Sequence, residues 1–466
     1  MSPILLRGAR VITMAAGRPD YESVDVLVDG DVIIDVGAGL NLDSDDAEIV
    51  DCTDRIIMPG LVNAHLHTWQ TGLRTIGSNW TLAQYLANSH GNIARHVKPA
   101  DMKIAALAGA LGQLNSGTTT IGDLCHNNPT PEHTDAALEG LLQSGVRSVF
   151  MHGTPYTKRG KNKSSEVDRL LDGPARQHEL LTIGMAIRGP QLSPASVAEA
   201  EMRAARDREV IVSMHQSGGV PKPAWDSVYR AGLYGPSTNI VHGAGLTGGW
   251  ISRLVDAGVT FSVTPENELG QGHGSPIIGD LLALDDAPSL GTDTDCVIAG
   301  DVLTAARVAL AYQRGADHDR HRDQVGIFSR LPTVTGKQAL SWVTVEGARA
   351  LGLGHRIGRV QIGLQADLVV VDSTALNLWP AHDPIAAALN SSFGNVESVM
   401  VAGAWRKRNH VLVGVDLESV KSEMAESGRR IVEKFREPGV LGGVRQRIVD
   451  KVVDRRLMGD MVVPPD

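Results

Sequence analysis

The stretch GLVNAHLHTWQT, residues 60–71, sets His65 and His67 two positions apart after a run of apolar and small residues. In a β-strand, residues i and i+2 point to the same side, so the two imidazoles aim together. Imidazole is a neutral, borderline-soft donor suited to zinc, iron or cobalt. Alone, the pair fits either metal ligation or two hydrogen-bonded strand histidines. Three more polar residues stand in comparable places: His215 ends VIVSMH, His242 ends NIVH and Asp293 ends SLGTD. A lone strand-end histidine is usually structural. Histidines at three strand ends, with an aspartate after the last strand, make the donor set of a metal centre if the strands gather around one axis.

Gathering them requires a closed array of parallel strands. Eight apolar segments follow one another: IMPGLVNAHLH, TTTIGDL, RSVFMHG, LTIGMAIRG, VIVSMHQ, NIVHGA, VTFSVTP and APSLGTD. Helical runs such as DMKIAALAGALGQLNSG, TDAALEGLLQSG and SVAEAEMRAARD lie between them. Eight β-α repeats over about 300 residues predict an α/β chain with a (β/α)8 TIM-type barrel. Active sites of such barrels sit at the C-terminal strand ends. An open doubly wound sheet is the competing arrangement. No GxGxxG follows the first strand, which weakens its dinucleotide-binding form.

The flanks differ from the barrel. Short strands with alternating Val and Ile fill the first fifty-odd residues, with Asp29-Gly30 as a hairpin turn. The same texture returns in RIGRVQIGLQADLVVVD and VESVMVAGAWRKRNHVLVG, so the two ends are expected to form one small β-sandwich. The expected division is sandwich 1–57, barrel 58–355, sandwich again 356–412, and C-terminal helices 413–466. Val420, Met424, Ile431 and Phe435 form an apolar stripe at helical spacing. A second helix is expected in VRQRIVDKVVDRRL, its basic residues on a solvated face. Both helices are expected to pack on the barrel or on a neighbouring subunit.

The 466 residues carry a net charge of -9, with 42% hydrophobic and 21% charged residues. That balance suits a globular protein and argues against nucleic acid or an anionic membrane as partner. Cys52, Cys125 and Cys296 stand far apart without CxxC spacing, as expected in a reducing cytoplasm. The start, MSPILLRGARVITM, lacks the apolar segment of a signal peptide. A cytoplasmic enzyme with a small-molecule substrate is the expectation.

In order along the chain, PGLVNAHLHT, strand-end His215 and His242, and SLGTD resemble the amidohydrolase superfamily. The nearest branch is that of cytosine deaminase, S-adenosylhomocysteine deaminase and the triazine hydrolases. IGRVQIGLQADLVVVD is similar to the stretch where that family's chain re-enters its β-sandwich. The resemblance covers roughly residues 1–412. It implies that His65, His67, His215 and Asp293 bind one divalent metal, with zinc, cobalt, iron and manganese all chemically acceptable. His242 would then contact the bound water or substrate, or complete the coordination. The family habit and the C-terminal helices suggest a homodimer or homotetramer.

One position departs from that branch. The fifth-strand histidine usually opens an HxxE motif whose glutamate shuttles protons, yet here the residues read His215-Gln216-Ser217-Gly218. Glu266 and Glu268 in SVTPENELGQGHGSP offer replacements, or else are solvated loop carboxylates. Arg188 ends the fourth strand, where binuclear members place a carboxylated lysine. Arginine stays charged, which favours a single metal. It would orient a carbonyl, stabilise an oxyanion, or simply pair with a carboxylate. His152, Asp123, Cys125 and His126 follow the second and third strands near the expected pocket. Trp69 and Trp80, with Leu73 and Leu82, either wall an apolar substrate pocket or pack a loop and helix.

These residues predict a mononuclear metal-dependent hydrolase. Water polarised by the metal gives its proton to Asp293 and attacks an sp² carbon, while His242 or Arg188 stabilises the developing charge. Without the HxxE glutamate, an amide, urea, carbamate or thiocarbamate is favoured over a heterocyclic amine. HLHTWQTGLR with TPENELGQGHG resembles the branch containing molinate hydrolase and the phenylurea hydrolases, which implies an apolar xenobiotic such as a herbicide. The alternative is an aminohydrolase or dechlorinase of a purine, pyrimidine or triazine. A metal-free scaffold is the third reading, against which the intact ligand set stands.

Overall fold

The computed structural model describes residues 2–41, 47–156, 164–298 and 300–436. Two sheets carry the architecture. The first takes strands from both ends of the chain: β1 (Ile4–Val11), β2 (Glu22–Asp29), β3 (Val32–Gly37), β4 (Glu48–Asp51) and β5 (Arg55–Pro59). Val24, Val26 and Val28 recur at period two on β2 and face one apolar core with Leu6 and Ile33. The turn between β2 and β3 passes through Gly30 at φ +58°, where a glycine carries no Cβ penalty.

The second sheet is the barrel. Its strands are β6 (Leu61–Leu66), β7 (Thr118–Cys125), β8 (Arg147–His152), β9 (Leu181–Ala186), β10 (Val212–Ser217), β11 (Thr238–Ala244), β12 (Thr260–Val263) and β13 (Ser289–Leu290). They neighbour one another in chain order and every pair is parallel. Helices such as Pro99–Asn115, Pro131–Ser144 and Ala195–Asp207 cross between them. Backbone hydrogen bonds nearly close the ring: Thr292 N–H and Asp293 N–H donate to His65 C=O at 3.1 and 3.0 Å, and His67 N–H donates to Asp293 C=O at 2.8 Å. Inside, Val62, Leu124, Val149, Met151 and Val241 cluster with Ala348, Leu351 and Ile357.

After the helix Val302–Val325 the chain returns to the first sheet as β14 (Leu368–Asp372), β15 (Val396–Val401), β16 (Ala404–Arg408) and β17 (Val411–Leu412). The order is β17-β16-β15-β14-β5-β1-β2-β3, with β4 against β1. The expected barrel and end-formed sheet are both present. The first expected strand is divided, however. Residues 57–59 of IMPGLVNAHLH belong to β5, and only 61–66 enter the barrel. Gly60 makes the passage. A Cβ there would lie 2.1 Å from Thr119 Oγ1, so no larger residue fits between the two sheets.

The helix Leu417–Arg436 carries the expected stripe, with Ile431 buried. At Gly428 an added Cβ would meet Gly72 C=O at 2.4 Å, so this helix lies directly on the segment that follows His67. The second expected C-terminal helix lies outside the described residues. No helix among the described residues is long and apolar enough to cross a membrane.

One ion pair ties sheet to barrel. Arg147 at the start of β8 holds Asp367 through Nε–Oδ2 and Nη2–Oδ1 contacts, both 2.9 Å, with 2% and 1% of the side chains exposed. Asp367 Oδ1 also accepts Ala402 N–H at 2.8 Å. Arg147→Met leaves this carboxylate buried without its partner. The expected loss is about 3–5 kcal/mol, read as a lower urea midpoint.

Candidate metal centre

The barrel seam positions three of the four expected ligands through the backbone. His65 ends β6, His67 follows it, and Asp293 faces both across the closing hydrogen bonds. Asp293 Oδ1 lies 3.3 Å from His65 Nε2 and 3.2 Å from His67 Nε2. From β10, His215 brings its Nε2 to 3.3 Å from His65 Nε2. Donor atoms of His65, His67 and His215 all lie within 4.8 Å of one another. His67 Nδ1 is 2.7 Å from Leu124 C=O, so Nδ1 carries the proton and Nε2 keeps its lone pair for the centre. Asp293 sits at φ +58° and His242 at φ +65°, rare for side chains of this size.

The electrostatics suit a cation. Burial pushes His65 down to about 3 and His242 to about 4, and holds His215 well below the usual range. These rings are neutral at physiological pH, the form a metal requires. Burial works to raise the Asp293 carboxyl, but its contacts with the His65 and His67 rings outweigh it and hold Asp293 well below the usual carboxylate range. Three neutral imidazoles and one buried carboxylate, aimed at one point, fit a divalent transition metal such as zinc.

His242, at the end of β11, turns its Nδ1 away from this point, toward Thr264 Oγ1 at 3.0 Å and Glu268 Oε1 at 3.3 Å. The cavity over the centre is lined by His67, His215, His242 and Asp293, with Leu82, Leu86 and Leu192 as apolar wall. Tyr85, His90, Tyr156 and His273 complete much of the rest. None of these last four stood out in the sequence. His90 lies in the wide helical turn Leu86–His90, which has no strand pattern to mark it. Of the residues after the second strand, His126 does line the cavity, 3.2 Å from His90 through Nε2 and stacked on Tyr156.

Other expected contacts fall elsewhere. Trp80 packs on Phe435 of the C-terminal helix, ring centroids 6.4 Å apart, because that helix covers the segment after His67. Trp69 is buried behind His90 and His126 rather than facing the cavity. His152 ends β8 but is not a lining residue, and burial lowers it to about 4. Glu266 lies on the outer side of the helix Pro265–Gln271, near Asp301 and Arg307. Glu268 is fully buried behind His242. Arg188 is likewise absent from the lining and donates to Pro155 C=O at 3.3 Å. Asp123 fixes the turn after His67, accepting from Thr68 N–H at 3.0 Å and Thr68 Oγ1 at 2.8 Å. Cys125 donates to Asn128 Oδ1 at 3.5 Å.

Position 218 is closed as well as lacking its carboxylate. Gly218 adopts φ +72°, and a Cβ there would stand 2.6 Å from His273 C=O. Gln191 Nε2 and Gln216 Nε2 both donate to Gly218 C=O, at 3.0 and 2.9 Å, pinning the turn.

Residues 56–406 match the amidohydrolase family. The chain is 24% identical over 448 residues to a 5-methylthioadenosine/S-adenosylhomocysteine deaminase from Acetivibrio thermocellus, spanning 92% of this chain and 99% of that protein. A deaminase of the same name from Haloarcula marismortui is 26% identical over 464 residues, spanning 93% and 99%. Two solved structures share the fold at 22% identity. One is an adenosine deaminase from Xanthomonas campestris with bound zinc, TM-score 0.78, covering 93% of this chain and 99% of that one. The other is an atrazine chlorohydrolase from Arthrobacter aurescens complexed with zinc, TM-score 0.77, covering 91% and 100%.

Two outcomes are expected. His67→Ala loses the bound metal, measured by elemental analysis of dialysed protein, while its circular dichroism stays native. The metal-free protein loses stability on acidification. Its buried histidines bind protons when unfolded near pH 6.5, but His65, His90 and His273 do so only at about 3 when folded, and His152 and His242 at about 4. The histidine contribution to stability is therefore fully present above pH 6.5 and falls below it. Burial raises Glu268 to about 8 and Asp123 to about 6, which opposes the trend with two groups against five. Urea midpoints taken from pH 6.5 to 4.5 should fall with a slope of at least about 1.4 kcal/mol per pH unit.

Proposed function

The chain belongs to the amidohydrolase family, and we propose that it hydrolyses a bond at an sp² carbon in a small, uncharged, largely apolar molecule. One divalent metal is held by His65, His67, His215 and Asp293. The observation that carries this reading is the convergence of those side chains at the barrel seam, beneath a cavity walled by leucine and tyrosine. Among the described residues that line the cavity, Asp293 is the one carboxylate and there is no lysine or arginine. A substrate bearing a phosphate or carboxylate would find no counter-charge among those described residues.

When bound, the metal polarises a water and lowers its pKa toward neutrality. Asp293, ionised and touching the same centre, receives the water's proton. His242, at the end of β11, faces the attacked group and hydrogen-bonds to water or substrate. The leucines exclude bulk water, which strengthens each of these interactions.

Two substrate classes fit. Kinship supports an aminohydrolase or dechlorinase of an N-heterocycle, since relatives spanning the whole length carry deaminase names. Closure at Gly218 supports the second class. Replacing an amino group on a heterocycle calls for protonation of ring and leaving group, and the residue expected to provide it has no room here. An acyl carbon asks less, above all one with a thiolate or stabilised amine leaving group. Carbamates, thiocarbamates, ureas and amides are that class, the one to which the molinate and phenylurea hydrolases belong.

The test is a panel of heterocyclic amines, chlorotriazines, carbamates, thiocarbamates and ureas, with products identified by mass. Ammonia or chloride from a ring assigns the first class, and an amine or thiol from an acyl carbon the second. No turnover of any member by metal-replete protein overturns the proposal. On the substrate found, Asp293→Asn is expected to cost about 10²–10⁴ in kcat with the fold intact.

A further inference from the structure

The loop after β12 closes position 218 with the His273 carbonyl and also buries a carboxyl group behind His242. We propose that Glu268 is a positioning residue that holds His242 in the tautomer presenting an unprotonated Nε2 to the reacting water.

The argument is one of donors and acceptors. Glu268 is 0% exposed. Its Oε1 already accepts Thr264 N–H at 2.7 Å and lies 3.3 Å from His242 Nδ1. Thr264 Oγ1 donates its one proton to the same Oε1 at 3.5 Å and stands 3.0 Å from His242 Nδ1. Nδ1 therefore faces two acceptors. If it lacked a proton, three sets of lone pairs would confront one another in a space without solvent. With Nδ1 protonated, both contacts become hydrogen bonds and the lone pair of Nε2 points to the cavity. The edge-on ring of His273, its centroid 4.4 Å away, holds the imidazole plane.

This holds in either protonation state of Glu268. Burial raises the group to about 8, and because Oε1 accepts Thr264 N–H at 2.7 Å, a proton on the group would sit on Oε2. Oε1 remains the acceptor. Removing Glu268 frees the Thr264 hydroxyl to rotate and donate to Nδ1, which moves the ring proton to Nε2. His242 then donates into the cavity where it had accepted.

The inference rests on the reading that His242 faces the reacting molecule. The test joins a measurement that needs no substrate to one that does. Imidazole ¹⁵N resonances are recorded on the full-length zinc-loaded protein, with His242→Gln used only to assign the signal. His242 is expected as the Nδ1–H tautomer in wild type and in Glu268→Gln, whose amide oxygen keeps the acceptor. In Glu268→Ala it is expected as Nε2–H. With a substrate from the panel, Glu268→Ala should lose about 10²-fold or more in kcat with KM held within about threefold, and Glu268→Gln should recover most of the rate. Zinc content should be equal throughout.

An Nε2–H signal in wild type overturns the proposal, as does Glu268→Ala with native tautomer and native kcat. Should Glu268→Ala not fold, wild type and Glu268→Gln decide: an Nδ1–H signal in both supports the role, and Nε2–H in either refutes it. Failure of the whole panel would strike the hydrolase reading and leave the tautomer measurement standing.

Discussion

Closure of the barrel between β6 and the residues after β13 is the constraint on which the site depends. Three backbone hydrogen bonds join His65, His67, Thr292 and Asp293, and they set ligand spacing before any side chain acts. Gly291 is part of that seam. A Cβ there would lie 2.5 Å from His65 C=O, so the two strand ends come together only where one has no side chain. The left-handed conformation of Asp293 then turns its carboxylate inward to both imidazoles. Parallel barrels gather functional groups at their C-terminal rim, and here the rim and the seam coincide.

Around this seam the described residues concentrate imidazoles and carry almost no formal charge into the cavity lining. Burial keeps His65, His90, His126, His215, His242 and His273 neutral. Asp293 is the exception, stabilised by its histidine partners. Such a centre attracts a cation strongly. The apolar wall and the closed turn at Gly218 are the two features on which the proposed neutral substrate with an easily expelled leaving group rests.

Much of this was legible from residue types and spacing, for identifiable reasons. His65, His67, His215, His242 and Asp293 all sit at or just past strand ends, and apolar strands announce themselves by short runs of Val, Ile and Leu. His90 and Tyr85 could not be read this way, because irregular helical turns carry no period. The split of IMPGLVNAHLH between two sheets was hidden by its continuous apolar texture, with only Gly60 marking the break. Trp80 sits beside the motif in sequence, but a helix more than three hundred residues later covers it. Gly218 shows the limit most clearly. Its sequence position reports a missing glutamate, whereas the His273 carbonyl that fills the space comes from another loop.

The pairing of β5 with β14 has a consequence for how the site is assembled. β5 runs straight into β6, the strand that bears His65, and its partner on one side is Leu368–Asp372, about three hundred residues downstream. A ribosome emitting this chain exposes the metal-binding strand long before that partner exists. Contacts so distant in sequence are slow to form, since loop closure must precede their reward. The sheet that anchors the strand of the first histidine pair is therefore complete only after Asp372 has been made, later than the barrel seam at Asp293.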